Sequence, residues 1–467
     1  MCWLLPTFFL SFSCGEISIQ AKAEVFETIV FGSCARQDRP APVWDAMAAI
    51  KPQLAILLGD NIYGDTQDME VMKAKYGMLA GSPGFKALKA GCPLMAVWDD
   101  HDYGVNDGGA SYPKKDASRK VLLDFFGEPE DSPRRSQPGG IYTAKIFGPP
   151  GKRVQVILLD TRYHRSELKK APGRGSTGYL PDSSPSAVML SPEQWNWLDD
   201  QLAQPAELRL IGSSIQVVSE DHRFEKWANM PTERAKLFAA IRKAGAAGVV
   251  ILSGDRHLGE ISSMDAEIGY PLIDITASGI NQASPTYRQV ESNRHRVAGM
   301  PWGNHFGAIR IDWSKTDPLV RLELRDEAGD VVVSHRVPVS ALQPKAARKP
   351  SSVENGAMKL AEGEVSPEIA KTMVGKRVTV RLRVASSGKA KDGSRLFLNS
   401  SKDFRSTENL AIVLDLKKLA EGLKEKGLAD VYSDIEGKVI RVTGTVSLFR
   451  ESPQIVVESV GEFEVVR

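Results

Sequence analysis

The sequence predicts an α/β protein in which two packed sheets are flanked by helices (an α/β/β/α sandwich), with a small five-stranded β-barrel after it. Three observations predict this. From Val25 to about Asp255, apolar runs of strand length alternate with amphipathic helical stretches. From Asp255 to about Val339 the runs are strands without helices, completing two sheets. Beyond a polar stretch at 343–364, five strands follow with one helix ahead of the fourth, the economy of a small barrel. At 467 residues, two or more domains are expected.

Residues 1–23 read as an export signal, which predicts a periplasmic or secreted protein. Residues 3–13 are apolar but too short to span a bilayer, and Ala21-Lys22-Ala23 supplies a cleavage site, although no Lys or Arg precedes the apolar part. No other run is long and apolar enough to be transmembrane. A strand at 28–31 runs into Gly32-Ser33-Cys34, and a helix at 42–51 carries Val43, Met47 and Ile50 on one face. A strand at 54–58 runs into Gly59-Asp60-Asn61-Ile62-Tyr63, and one at 94–98 into Asp99-Asp100-His101-Asp102. A helix is expected over 113–126, and a strand over 154–159 that ends at Asp160-Thr161-Arg162-Tyr163. The Gly-, Ser- and Pro-rich segment 167–190 reads as a long surface loop, a common form of lid or binding loop. Ser191-Pro192-Glu193-Gln194 opens a helix with capping chemistry, Pro at its first position and an acidic first turn. A strand at 208–215, a helix at 231–244 and a strand at 249–252 that runs into Ser253-Gly254-Asp255-Arg256-His257 complete the alternating part. Strands follow at 260–264, 272–277, 306–313, 320–325 and 331–337.

Residues 343–364 lack an apolar period and read as a linker. In the tail, a short helix at 367–373 precedes strands at 377–384, 396–399, 411–416, 439–446 and 454–457, with a helix at 416–426. The expected division is a leader at 1–23, a catalytic domain at 24–342, the linker, and a barrel domain at 365–467.

A formal charge of +2 gives no electrostatic pull toward nucleic acid or membrane. Four cysteines, two of them in the leader, make no disulfide scaffold, and Cys92 reads as a small buried hydrophobe. The chemistry concentrates at strand ends. Three carboxylates and an imidazole at 99–102 are costly to place together unless a cation sits among them. Four strands that deliver Cys, Asp, Tyr and His from their C-terminal ends build a site in the manner of open α/β sheets. Gln216, Glu220, Asp221, His222, Asn304 and His305 read as groups that support the ligands or touch substrate or, the favoured reading, as ordinary loop residues, and Trp227 and Trp302 as core or loop anchors in preference to substrate platforms.

The motifs Gly32-Ser33-Cys34, Gly59-Asp60-Asn61-Ile62-Tyr63, Trp98-Asp99-Asp100-His101-Asp102, Asp160-Thr161-Arg162 and Ser253-Gly254-Asp255-Arg256-His257 resemble, in order, those of the alkaline phosphatase D (PhoD-like) metallophosphoesterases. The tail resembles an OB-fold of the tRNA-anti-like type through Gly437–Gly444 and Pro453–Val457. The first resemblance implies two or more metal ions and hydrolysis of phosphate mono- or diesters by a metal-activated hydroxide. It assigns the bridging ligand to Asp60. Cys34 and Tyr63 would serve an Fe3+, and Asp100, with Asp99 as alternative, an oxygen-rich Ca2+ site, Mn, Zn and Mg also being compatible. Asp255 and His257 would complete the shell. His101 would protonate the leaving group, and Arg162 would either clamp a phosphate oxygen or form a structural salt bridge. Basic and aromatic residues of the barrel (Arg395, Phe397, Lys402, Phe404, Arg405, Phe449, Arg450) invite a nucleic-acid reading, but alternation assigns such aromatics to a core, so a stability or attachment module is favoured. The alternatives to a broad phosphatase are a specialised diesterase acting on nucleic acid or phospholipid head groups, and a non-catalytic metal-stabilised binding protein.

Overall fold

Strands buried at every position account for the unbroken apolar runs: Thr28–Gly32, Leu54–Leu58, Val154–Leu158, Leu208–Ser213 and Val249–Ser253 are covered on both faces. The computed structural model describes residues 24–173, 178–284, 291–300, 302–344, 361, 363–371, 373–390, 392–401, 409–425, 435–449 and 452–466. The expected leader, most of the expected linker, and Lys402, Phe404, Arg405 and Arg450 lie outside these residues. The chain divides into two compact units, residues 1–347 and 348–467.

In the first unit a six-stranded sheet runs in the order Val331–Pro338, Leu319–Asp326, His305–Asp312, Thr28–Gly32, Leu54–Leu58, Leu94–Val97. A seven-stranded sheet runs Arg296–Gly299, Gly259–Asp265, Pro271–Ala277, Val249–Ser253, Leu208–Ser213, Val154–Leu158, Thr143–Phe147. Strands Thr28–Gly32, Leu54–Leu58 and Leu94–Val97 are mutually parallel, as are Val154–Leu158, Leu208–Ser213, Val249–Ser253 and Pro271–Ala277. The sheets meet face to face: a Cβ on Gly212 would lie 2.5 Å from Leu158 Cδ2 in its own sheet and 2.9 Å from Leu58 Cδ2 of the other. Helices Lys115–Phe126, Pro192–Leu202 and Pro231–Ala244 flank this core, and Ser191 Oγ caps the second by accepting from Gln194 N. As the sequence predicts, the described chain after Asp255 has strands and no α-helix until the second unit.

The structure adds helices at Met69–Gly81 and Pro83–Gly91 and an edge strand at Thr143–Phe147. The first helix buries only Met72, Tyr76 and Leu79, a stripe one residue wide, and the strand buries only Phe147, so neither carries a strong apolar period. The Leu94–Val97 strand also passes almost at once into one helical turn, Asp100–Tyr103.

In the second unit Arg377–Arg383 pairs with Val439–Phe449, which pairs with Ser452–Val457; the last lies parallel to Ala411–Asp415, which continues through Arg395–Asn399 to Ser386–Lys389. Glu364–Val365 adds parallel to Arg377–Arg383 and Phe463–Val466 antiparallel to Val439–Phe449, so the described residues of this unit form eight strands where the sequence predicts five. Among the described residues, no helix is long and apolar enough to cross a membrane.

Candidate metal centre and its cavity

Asp102 ties the ends of two neighbouring strands together. Its Oδ1 accepts from Asp60 N and Asp99 N, and its Oδ2 from Asn61 N and Asn61 Nδ2. Gly59 makes this approach feasible: it has φ +96°, and a Cβ there would stand 2.2 Å from Asp99 N. Cys34 Sγ reaches Asp60 Oδ2 at 3.4 Å and Ser278 Oγ at 3.1 Å, and Ser278 Oγ also accepts from His257 N. Tyr63 OH is 2.9 Å from His257 Nε2.

The result is three overlapping clusters, Cys34–Asp60–His257, Asp60–Asp100–His101 and Asp99–Asp100–Asp255, each with one donor atom per residue within 4.8 Å of the others. Asp60 belongs to two of them. Thus Cys34, Asp60, Asp100, His101, Asp255 and His257 converge, with Tyr63 on their edge. Among the described residues, eight other than glycine have positive φ, and six of these (Cys34, Asp60, Asp65, Asp107, Asp255, His257) belong to this region. Such concentrated backbone strain is a mark of a functional site.

The electrostatics fit a cation. Burial, then neighbouring negative charge, holds the Asp60 carboxyl well above its usual range. At Asp255 burial also raises the pKa, against the pull of Arg256. Burial lifts Asp99 to about 8 and Asp102 to about 7. Burial also pushes the Cys34 thiol up to about 12, and the Tyr63 phenol upward. Asp99 Oδ2 is buried without a hydrogen-bond partner. At Asp100 burial is outweighed by Arg162 and His101, which hold its carboxyl below the usual range; the remaining donors are reluctant to ionise, and with one orphaned carboxylate oxygen the set suits multivalent cations, which deprotonate what they bind.

These shifts fix the pH behaviour of the metal-free protein. The folded chain keeps protons on Asp99 and Asp102 that the unfolded chain releases near pH ~4, so their stabilising contribution is lost as pH rises through the folded values of about 8 and about 7. Burial lowers His222 to about 2 and His257 to about 4, so they oppose this trend only below their unfolded value of ~6.5. Between pH ~6.5 and ~8 the carboxyls therefore dominate, and the chelated protein is expected to lose stability as pH rises across that window. Thermal unfolding at both ends of the window checks this; a flat Tm counts against it, and re-added metal is expected to reverse the slope.

His101 has its ring 4.1 Å, centroid to centroid, from that of Tyr63, and its Nδ1 bonds to Asp65 Oδ1 at 2.7 Å. Burial disfavours its charge, but the Asp65 hydrogen bond and Asp100 outweigh that and hold its pKa above the ordinary histidine value. A cavity of about 840 Å³ opens over the clusters, lined by Asp100, His101, Asp255 and His257 and by Tyr179, His222 and Phe224. Tyr179 comes from the expected binding loop and donates to Asp107 Oδ2 at 2.5 Å.

Arg162 is a correction to the phosphate-clamp expectation. It is wholly buried; its Nε and Nη2 donate to Asp99 Oδ1 and its Nη1 to Glu225 Oε2 at 2.6 Å, so the salt-bridge alternative describes it. Glu225 also faces Arg165 Nε at 2.9 Å. Trp302, expected as an anchor, is 56% exposed, while Trp227 is fully buried. Gln216 is buried, donates to Glu260 and Thr276, and meets His222 Nε2. Glu220 pairs with Arg234 and Asp221 with Arg294, Asn304 donates to Glu327, and His305 is buried against Gly303 O. Sequence reasoning missed Asp65, Glu225 and Ser278. Only Asp65, five residues past Asp60 and one past Gly64, lies near enough to a motif to have been found.

The profile of the PhoD-like phosphatase family matches residues 29–317. Alkaline phosphatase D of Bacillus subtilis (strain 168) is 23% identical over 281 residues, which cover 51% of this chain and 47% of that protein, so the chain spans about half the length of the curated relative it matches. Among solved structures, that of PhoD aligns with a TM-score of 0.51 at 17% identity, covering 67% of this chain and 72% of that one, which bears on the fold alone. A dimetal phosphatase from Danio rerio aligns at a TM-score of 0.42 and 15% identity, covering 68% of this chain and all of that one. The family match takes in every residue of the three donor clusters, and the chain belongs to the PhoD-like phosphatase family.

Proposed function

We propose that this chain is an exported metal-dependent hydrolase of phosphate mono- or diesters. One observation carries the reading: three donor clusters, the first two joined by Asp60 and the last two by Asp100, stand at the wall of a cavity able to admit an ester. Cys34, Asp60, Tyr63 and His257 would hold one ion and Asp60, Asp99, Asp100 and Asp255 another. Thiolate with phenolate suits Fe3+, and the carboxylate set suits Ca2+. When bound, such ions supply an activated water nucleophile and screen the phosphoryl charge. Asp102 holds the strand ends in register, and Arg162 orients Asp99 through the ion pair between them. His101, with Nδ1 engaged by Asp65, has Nε2 left to protonate the leaving oxygen.

The test is turnover of an aryl monophosphate and a bis-aryl phosphodiester by purified protein, before and after chelation and after separate return of iron and calcium. Loss on chelation and recovery with metal are expected. Absence of turnover with full metal content would favour a binding protein instead. Asp65→Asn is expected to lower the pKa of His101 and move the basic limb of the pH–rate profile to lower pH, with kcat reduced about 10-fold or more. An unmoved limb would remove His101 from the proton-donor role.

Export rests on the residue pattern at 1–23, and the mass of the chain recovered outside the cytoplasm is expected to match a start at Glu24. The second unit is read as an OB-type barrel that serves stability or attachment. Single-stranded DNA is accordingly expected to bind the full chain only weakly, and a tight, steeply salt-dependent affinity would reverse that reading.

A further inference from the structure

Among the described residues that line the cavity, one arginine has no carboxylate partner. Of the acidic residues that line it, Asp100 and Asp255 belong to the donor clusters, Asp221 pairs with Arg294, Glu225 with Arg162 and Arg165, Glu291 with Arg256, and Asp107 accepts from Tyr179. Arg256 thus spends its charge on Glu291, with Asp255 Oδ2 a further 3.8 Å contact. Arg223 lines the same cavity, is exposed, and has no carboxylate within ion-pair distance among the described residues.

The backbone of Arg223 is nevertheless held, and its side chain rests against one ring. Its carbonyl accepts from Tyr179 N at 2.8 Å, and its guanidinium lies 5.0 Å from the centroid of the Phe224 ring, which Arg256 also approaches, at 3.9 Å. Two residues on, Glu225 anchors the loop to two buried arginines. A pre-positioned, unpaired guanidinium is an anion receptor. The cavity is also far larger than a phosphoryl group needs, within the ~300–1,000 Å³ typical of whole-ligand sites.

We propose that Arg223 binds a second anionic group, carboxylate or phosphate, borne by the part of the substrate that remains outside the donor clusters. The inference rests on the hydrolase reading for what occupies the clusters themselves, and its test is a binding measurement that needs no turnover. Alkane-α,ω-bisphosphonates of two to eight carbons, the matching ω-carboxyalkylphosphonates and plain alkylphosphonates would be titrated calorimetrically into the metal-loaded full chain. At the chain length that spans the two sites, a doubly anionic ligand is expected to bind about 10-fold or more tighter than its monophosphonate. Arg223→Gln is expected to erase that preference, Arg223→Glu to invert it, and Arg223→Lys to keep part of it. The bisphosphonate and carboxylate arms tell which anion is preferred. The proposal is overturned if no doubly anionic ligand is preferred at any length, or if the preference survives in Arg223→Gln. Monophosphonate binding by a metal-loaded protein that turns over neither aryl phosphate ester would instead count against the hydrolase reading while leaving the Arg223 comparison intact.

Discussion

Asp60→Asn is expected to lower kcat/KM by at least about 10³-fold and to reduce bound metal, because one carboxylate serves two of the three donor clusters. The substitution keeps size and shape, and Asn tolerates the left-handed backbone found there, with φ of 49°. The hydrogen bond from the residue's own amide to Asp102 is also retained. What is lost is charge and one donor oxygen. Elemental analysis alongside kinetics checks this, with unfolding of the chelated protein as control for the fold. Full metal content with near-normal turnover would mean that Asp60 does not bridge, and the mechanism would have to be rebuilt on Asp100.

Above pH about 8, where Asp99 is ionised, Arg162→Met is expected to destabilise the chelated protein by roughly 3–5 kcal/mol, because it strips the partner from Asp99 and leaves Glu225 with Arg165 alone. Asp99 and Arg162 side chains are wholly buried and Glu225 is 1% exposed, so water cannot compensate. Arg162→Lys should restore much of the loss, since it returns the charge without the two-pronged geometry. Denaturant unfolding measures both. A change below ~1 kcal/mol for Arg162→Met would show that the carboxyls simply take up protons, which the raised pKa of Asp99, about 8, makes the main competing outcome.

The contrast between these two residues shows what the sequence could and could not disclose. Asp60 was legible because an apolar run buried on both faces stops abruptly at a glycine and an acid, and the physics of a sheet end carries the rest. The same logic located Cys34, Asp100, Asp255 and His257. Arg162 ends its strand in the same way, yet its neighbours are Asp99 and Glu225, each 63 positions away, and nothing local says whether a guanidinium will turn to solvent or inward. Asp102 illustrates a third case. It reads as one more carboxylate for the cluster, whereas in the structure it accepts hydrogen bonds from three backbone amides and binds the strand ends instead of joining a donor cluster. The helix at Met69–Gly81 was missed because burial selects too few of its positions to print a period.

Cys34, Asp60, Asp255 and His257 all sit where L-residues are conformationally uncomfortable, and each directly follows or nearly follows a buried strand. The sheets therefore act as a vice: interior packing, far from any ion, supplies the force that keeps the donors wound against their preference. Loosening that interior, as by Leu252→Ala in a fully buried strand, should accordingly weaken cation affinity well before it unfolds the protein, so that ion loss on warming becomes the earliest sign of a softened core.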